Sequence, residues 1–208
     1  MEFDLVPGGS GRNYTGILTK TIVYASTFVL FLVATAFTLA AITIPKWVSY
    51  HSDKPKFHYS YGLHHRCSSL TDACASFPQY DECHGEDRYF CSMWRTVGFL
   101  MSFAVVIEGI AIVAYLVILS GGKQLRESGW AVLSLIIVLS AMAQAASMAL
   151  VAYLFDNDDR FFVGWFLDES WLMCIASWCI SLFCAVTVVA SARVLPSEGG
   201  YELIPDPS

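Results

Sequence analysis

Four long stretches of this chain are nearly unbroken apolar runs, set apart by polar segments of very different length. Residues 21–44, 130–154 and 171–192 carry no charged side chain, and residues 96–120 carry one, Glu108. Each run is long enough to take a helix through a hydrocarbon core of about 30 Å at about 1.5 Å per residue. Within lipid every backbone polar group must be bonded inside the structure, which leaves helices and closed barrels. The runs lack the alternating pattern of barrel strands. They predict an all-α membrane fold, a bundle of four transmembrane helices. The first run is too long for the apolar part of a cleaved signal and has no small-x-small site before Pro45, so it is expected to remain as a span.

The polar segments predict other elements. In "FHYSYGLH", Phe57, Tyr59, Tyr61 and Leu63 alternate with His58, Ser60, Gly62 and His64, the period-two signature of a half-buried strand. The same loop, 45–95, holds Cys67, Cys74, Cys83 and Cys91 and all five histidines, His51, His58, His64, His65 and His84. The nine residues 121–129 make the second and third spans an antiparallel hairpin. The tails, 1–17 and 194–208, are rich in Gly, Pro and Ser and are expected to be poorly ordered around a membrane domain over 18–193.

Composition strengthens the membrane reading. Of 208 residues 56% are hydrophobic and only 14% charged, against about 25% charged in ordinary soluble domains. The formal charge of −6 comes without a basic patch, so nucleic acid is not an expected partner. An even number of spans puts both termini on one side. The short link 121–129 carries Lys123 and Arg126, whereas 155–170 carries Arg160 among Asp156, Asp158, Asp159, Asp168 and Glu169. By the positive-inside rule both termini are cytoplasmic. The six Lys and Arg of loop 45–95 oppose this, but long loops weigh little, and four cysteines suit an oxidising exterior. Disulfides are then the expected state. Four cysteines allow three pairings; the near-neighbour scheme, Cys67–Cys74 and Cys83–Cys91, closes short loops, each bridge contributing about 2–4 kcal/mol. The loop is expected to be a small, stapled extracellular β-sheet domain.

Trp47 in "IPKWVSY", then "GLHHRC" with Gly62, Leu63 and Cys67, then Cys74, and then Arg95 at the mouth of the second span form a pattern. It resembles the claudin superfamily: claudins, peripheral myelin protein, stargazin-like channel subunits and fungal claudin-like proteins. The family signature is a Trp, a Gly-Leu-Trp-x-x-Cys and a further Cys in the first extracellular loop, with an arginine at the second helix. His64 stands at the second Trp, Cys83 and Cys91 are additional, and the ending "PDPS" is not a PDZ-binding one, which marks a divergent branch. The resemblance implies a left-handed four-helix bundle under an extracellular sheet drawn mostly from the first loop, with one strand from the second. It implies a non-enzymatic plasma-membrane protein acting in cell contact, membrane-domain organisation or channel assistance. Its partners would be lipids and other membrane proteins, or a second copy of itself. Tetraspanins, connexins and membrane thiol oxidoreductases fit worse, because the cysteines lie in the wrong loop, in one loop only, and without a Cys-x-x-Cys.

Candidate chemistry is sparse. Glu108 sits mid-span, where a carboxylate costs about 2.5–3.5 kcal/mol on insertion scales. Ala104 and Ala111 share its face, and Gln144 lies at matching depth in the third span with Ser140 and Ser147 beside it. One expectation is a protonated Glu108 bonded to Gln144 that fixes helix register. The alternatives are an ion or proton path, making the protein a transport or channel component, and a polar contact to another subunit. The histidines admit a metal or pH-sensing site. Cys174, Cys179 and Cys184 read as small hydrophobes, with Cys184 a palmitoylation candidate. Phe161, Phe162, Trp165 and Phe166 read as an interfacial belt. Asn13 heads an "NYT" sequon, and "YELI", Tyr201 to Ile204, fits a sorting signal. No nucleophile–base pattern, phosphate loop or carboxylate pair calls for catalysis or a cofactor.

Overall fold

The computed structural model describes residues 20–53, 56–71, 73–79, 83 and 88–195. The Asn13 sequon, His84, the Tyr201–Ile204 motif and the tails beyond these limits lie outside the described residues.

The apolar runs become four long helices: α1 (Lys20–Thr43), α2 (Arg88–Ser120), α4 (Trp130–Asn157) and α5 (Glu169–Val194). All four are long and apolar enough to cross a membrane. Long apolar runs with at most one charge marked each span, but α2 begins eight residues before the expected 96. Its first two turns include Arg88 and Arg95, whose charges ended the apolar count without ending the helix. At 33 residues α2 is about 50 Å long, so it overshoots a hydrocarbon core of about 30 Å. The link between α2 and α4 is itself helical, α3 (Gly122–Ser128). Tyr24 of α1 ties this end of the bundle by donating from its hydroxyl to the Arg126 carbonyl at 3.1 Å.

The first loop forms four strands, β1 (Val48–Asp53), β2 (Lys56–Tyr61), β3 (His65–Ser68) and β4 (Ala73–Ser76); the second loop adds β5 (Trp165–Leu167). They make one antiparallel sheet in the order β4-β3-β2-β1-β5. The expected strand over 57–64 stops at Tyr61, because Gly62 turns the chain tightly: its N–H bonds the His65 carbonyl at 2.8 Å. The Cys67–Cys74 disulfide joins directly opposed residues of β3 and β4, and Cys83–Cys91 ties the loop to the top of α2.

Two apolar clusters fill the bundle. One, nearer the sheet, includes Ala41, Trp47, Trp94, Met101, Val151 and Cys174; the other includes Phe31, Ala111, Tyr115, Ile137 and Cys184. Between them lies a layer of buried polar side chains.

Candidate functional site

That polar layer takes one or two residues from every spanning helix. Thr38 of α1, Glu108 of α2, Ser140 and Gln144 of α4 and Ser177 of α5 are all fully buried. Glu108 Oε1 is the hub: it accepts from Gln144 Nε2 at 2.6 Å, Thr38 Oγ1 at 2.9 Å and Ser140 Oγ at 3.4 Å. Gln144 Nε2 also reaches Thr38 Oγ1 at 3.0 Å and Ser177 Oγ at 3.2 Å, and those two hydroxyls are 2.7 Å apart. Two amide hydrogens thus face three oxygens, and the group closes as a network rather than a set of pairs. Ala104 and Ala111 flank Glu108 without any exposed surface, and their small side chains allow the close helix approach this needs.

The sequence brought Glu108 and Gln144 to notice because each interrupts an apolar run. It missed Thr38 and Ser177, since Ser and Thr in a spanning helix commonly bond their own backbone and carry no signal of a partner. Ser147, expected as a reserve, does bond its own helix, at the Ala143 carbonyl 2.9 Å away. Glu108 Oε2 and Gln144 Oε1 are buried without a hydrogen-bond partner among the described residues.

A second constellation joins the sheet to the bundle. Trp47 is fully buried; its indole N–H donates to the Ala41 carbonyl at 2.7 Å, and its backbone N–H to Tyr61 at 2.8 Å. Trp94 of α2 donates to the Gly62 carbonyl at 3.1 Å. Gly62 is pressed against Pro45 so closely that a Cβ would lie 2.4 Å from Pro45 Cα, which is why glycine is required there. Leu63 is buried in the same cluster. The start of α5 is stitched to this segment: Asp168 N–H bonds the Trp47 carbonyl and Ser170 N–H the Lys46 carbonyl, both at 3.0 Å. Ser49 Oγ donates to the Asp168 carboxylate. Lys46 and Glu169 add an exposed ion pair at 3.0 Å, and the carboxylate holds the ammonium above the usual lysine range.

The aromatic segment after α4 divides. Trp165 lies across the sheet face, with ring centroids 5.4 Å from Tyr50, 6.0 Å from Tyr59 and 5.5 Å from Tyr61. Phe161 packs inward on Tyr61 and Phe90. Burial in this layer pushes the Tyr61 phenol well above its ordinary pKa. The interfacial-belt expectation therefore does not describe Phe161 and Trp165, which are half-buried and pack against the core below the sheet; of the four aromatics Phe162 and Phe166 face outward, on either side of exposed Val163. Gly164 makes the turn with φ +111°, a left-handed conformation that favours glycine.

Other candidates fall elsewhere. The four described histidines do not converge: His51 and His58 face each other across β1 and β2 at 6.2 Å, while His64 and His65 lie exposed beyond them. Among the described residues no group of three or more His, Cys, Asp or Glu is placed to hold a metal ion. Cys184, the palmitoylation candidate, is buried, with its thiol 3.5 Å from the Thr27 carbonyl, so an acyl chain has no access; Cys179 is the exposed thiol of that helix. Arg95 is exposed on α2.

No family model matches this sequence, and no curated protein matches it either.

Proposed function

We propose that this chain is a non-enzymatic, claudin-like protein of the plasma membrane. In this reading both termini are cytoplasmic, and the sheet is an outward platform for contact with other membrane proteins or a neighbouring cell, including assistance to a channel. The observation that carries the proposal is the closure of the two loops into one sheet. The pairing of β5 with β1 makes residues from both loops a single rigid surface, anchored by Trp47 and stapled by two disulfides. On it Phe162 and Val163, 59% and 97% exposed, sit at a glycine turn. Rigid, exposed apolar side chains on a pre-organised scaffold are what a protein contact needs. The polar layer supports a structural role for Glu108: its bonds run to α1 and α4, Thr38 and Gln144 carry the network on to Ser177 of α5, and the layer holds the bundle together between two apolar clusters.

The test compares the parent with a Phe162→Ser/Val163→Asp variant in cells, reading surface delivery and the size of the complex extracted in mild detergent. The expected result is normal delivery with collapse of a larger assembly to the size of the lone chain. An unchanged assembly in a normally delivered variant overturns the platform reading. Tags on both termini resisting protease on intact cells are part of the same account; digestion of either reverses the orientation.

A further inference from the structure

Where α2 emerges from the bundle beside the sheet, its outer face changes character within one turn. Arg88, Ser92 and Arg95 recur at spacings of four and three, so they share one exposed stripe of the helix. Phe99 continues the stripe one turn on, followed by Phe103, Val106 and Ile110, all exposed. The upper part is a concavity of about 490 Å³ lined by Arg88, Ser92, Arg95, Thr96 and Phe99, with the Cys83–Cys91 disulfide in its wall. Neither guanidinium has an ion pair or hydrogen bond among the described residues, and the Ser92 hydroxyl between them is likewise uncommitted. The two arginine Cα atoms are about 10 Å apart along the axis, a span their long side chains close on a single ligand. Below them Phe99 and Phe103 stack nearly parallel, 6.2 Å between centroids and 8° between planes.

We propose that this stripe is a binding site for one membrane lipid with a net anionic phosphodiester headgroup, in the leaflet bordering the sheet. The phosphate takes the two guanidiniums, which bind phosphate oxygens through charge-assisted, forked hydrogen bonds. The Ser92 hydroxyl is a third donor. The acyl chains run down the Phe99–Phe103 face. Its depth is set by the protein itself: Arg95 is the residue before the apolar run 96–120, so the cationic part stands at headgroup level and the aromatic part in the acyl region. Two cations with no counter-ion among the described residues share one hollow and repel each other, and an anion between them relieves that repulsion. A zwitterionic lipid brings its own ammonium into the same hollow and loses this advantage. The proposal rests on α2 and the disulfide at its top, and it stands or falls apart from the contact function of the sheet.

Purified full-length protein is titrated in detergent with phosphatidylglycerol or phosphatidylcholine of matched chains, and retained lipid is counted by native mass spectrometry. The parent is expected to retain phosphatidylglycerol at least fivefold more than phosphatidylcholine, and Arg88→Gln/Arg95→Gln to bring that ratio close to one. Excess soluble glycerol phosphate should leave the bound lipid in place, and Phe99→Ala should lower retention of phosphatidylglycerol. Should the double variant fail to fold, Arg95→Gln alone decides, with an expected loss of at least twofold. Equal retention of the two lipids by the parent, or an unchanged ratio in the arginine variant, overturns the site. Full displacement by glycerol phosphate overturns the lipid assignment in favour of a soluble anion.

Discussion

The amide nitrogen of Gln144 lies 2.6 Å from Glu108 Oε1, and this contact joins the two helices of a hairpin at mid-membrane depth. A carboxyl group there is costly unless it is bonded, and Thr38 and Ser140 add two further donors to the same oxygen. Glu108→Gln keeps an acceptor oxygen at the hub and should alter stability by no more than about 0.5 kcal/mol. Glu108→Leu removes the acceptor from three donors and should cost about 1–2 kcal/mol. Thermal unfolding in detergent, with surface delivery in cells, compares the two.

Thr38 links the first helix to both Glu108 and Ser177, so its loss should be felt through the network. Thr38→Val should cost about 0.5–1.5 kcal/mol. Combined with Glu108→Leu it should cost less than the sum, because the two substitutions remove one shared bond. Additive costs in a double-mutant cycle would mean that Thr38 and Glu108 act independently.

The junction under the sheet is a harder constraint. Trp47→Ala empties a fully buried site and breaks the indole bond to Ala41, a loss of about 3–5 kcal/mol for a large aromatic. Gly62→Ala drives a Cβ into the Pro45 backbone and should cost about 1–3 kcal/mol. Gly98→Ala is the internal control: nothing lies within 4 Å of its Cβ position, so it should be neutral or stabilising by up to about 1 kcal/mol. Surface delivery and melting temperature rank the three variants; comparable losses at Gly62 and Gly98 would contradict the close approach.

Much of this architecture was legible in the chain, and the rest was hidden for physical reasons. A long apolar run with at most one charge is sufficient to mark a spanning helix, and a lone Glu108 or Gln144 in such a run must find a partner. Thr38 and Ser177 gave no such signal. The extent of α2 was hidden because Arg88 and Arg95 are helix formers whose charges, not their backbone, mark the membrane surface. The short helix Gly122–Ser128 was concealed in a link whose length and charge indicate a hairpin turn on the cytoplasmic side but not a helix. The strand over 57–64 was visible by its alternation, but its end at Tyr61 depends on the approach of Gly62 to Pro45, a contact seventeen positions apart that no local pattern encodes. Likewise Phe161 and Trp165 have the composition of an interfacial belt; that they pack inward depends on Tyr61 and Phe90 lying across from them.

The central claim is that the sheet surface around Val163 meets another protein. A photo-activated cross-linking residue is placed at Val163 or, as a lipid-facing control, at Val113 of α2, and intact cells are irradiated before lysis. The account predicts discrete protein adducts from Val163, lost when Phe162→Ser is added, and only lipid adducts from Val113. A Val163 probe that is delivered to the surface yet yields no protein adduct, or the same adducts as Val113, would contradict it.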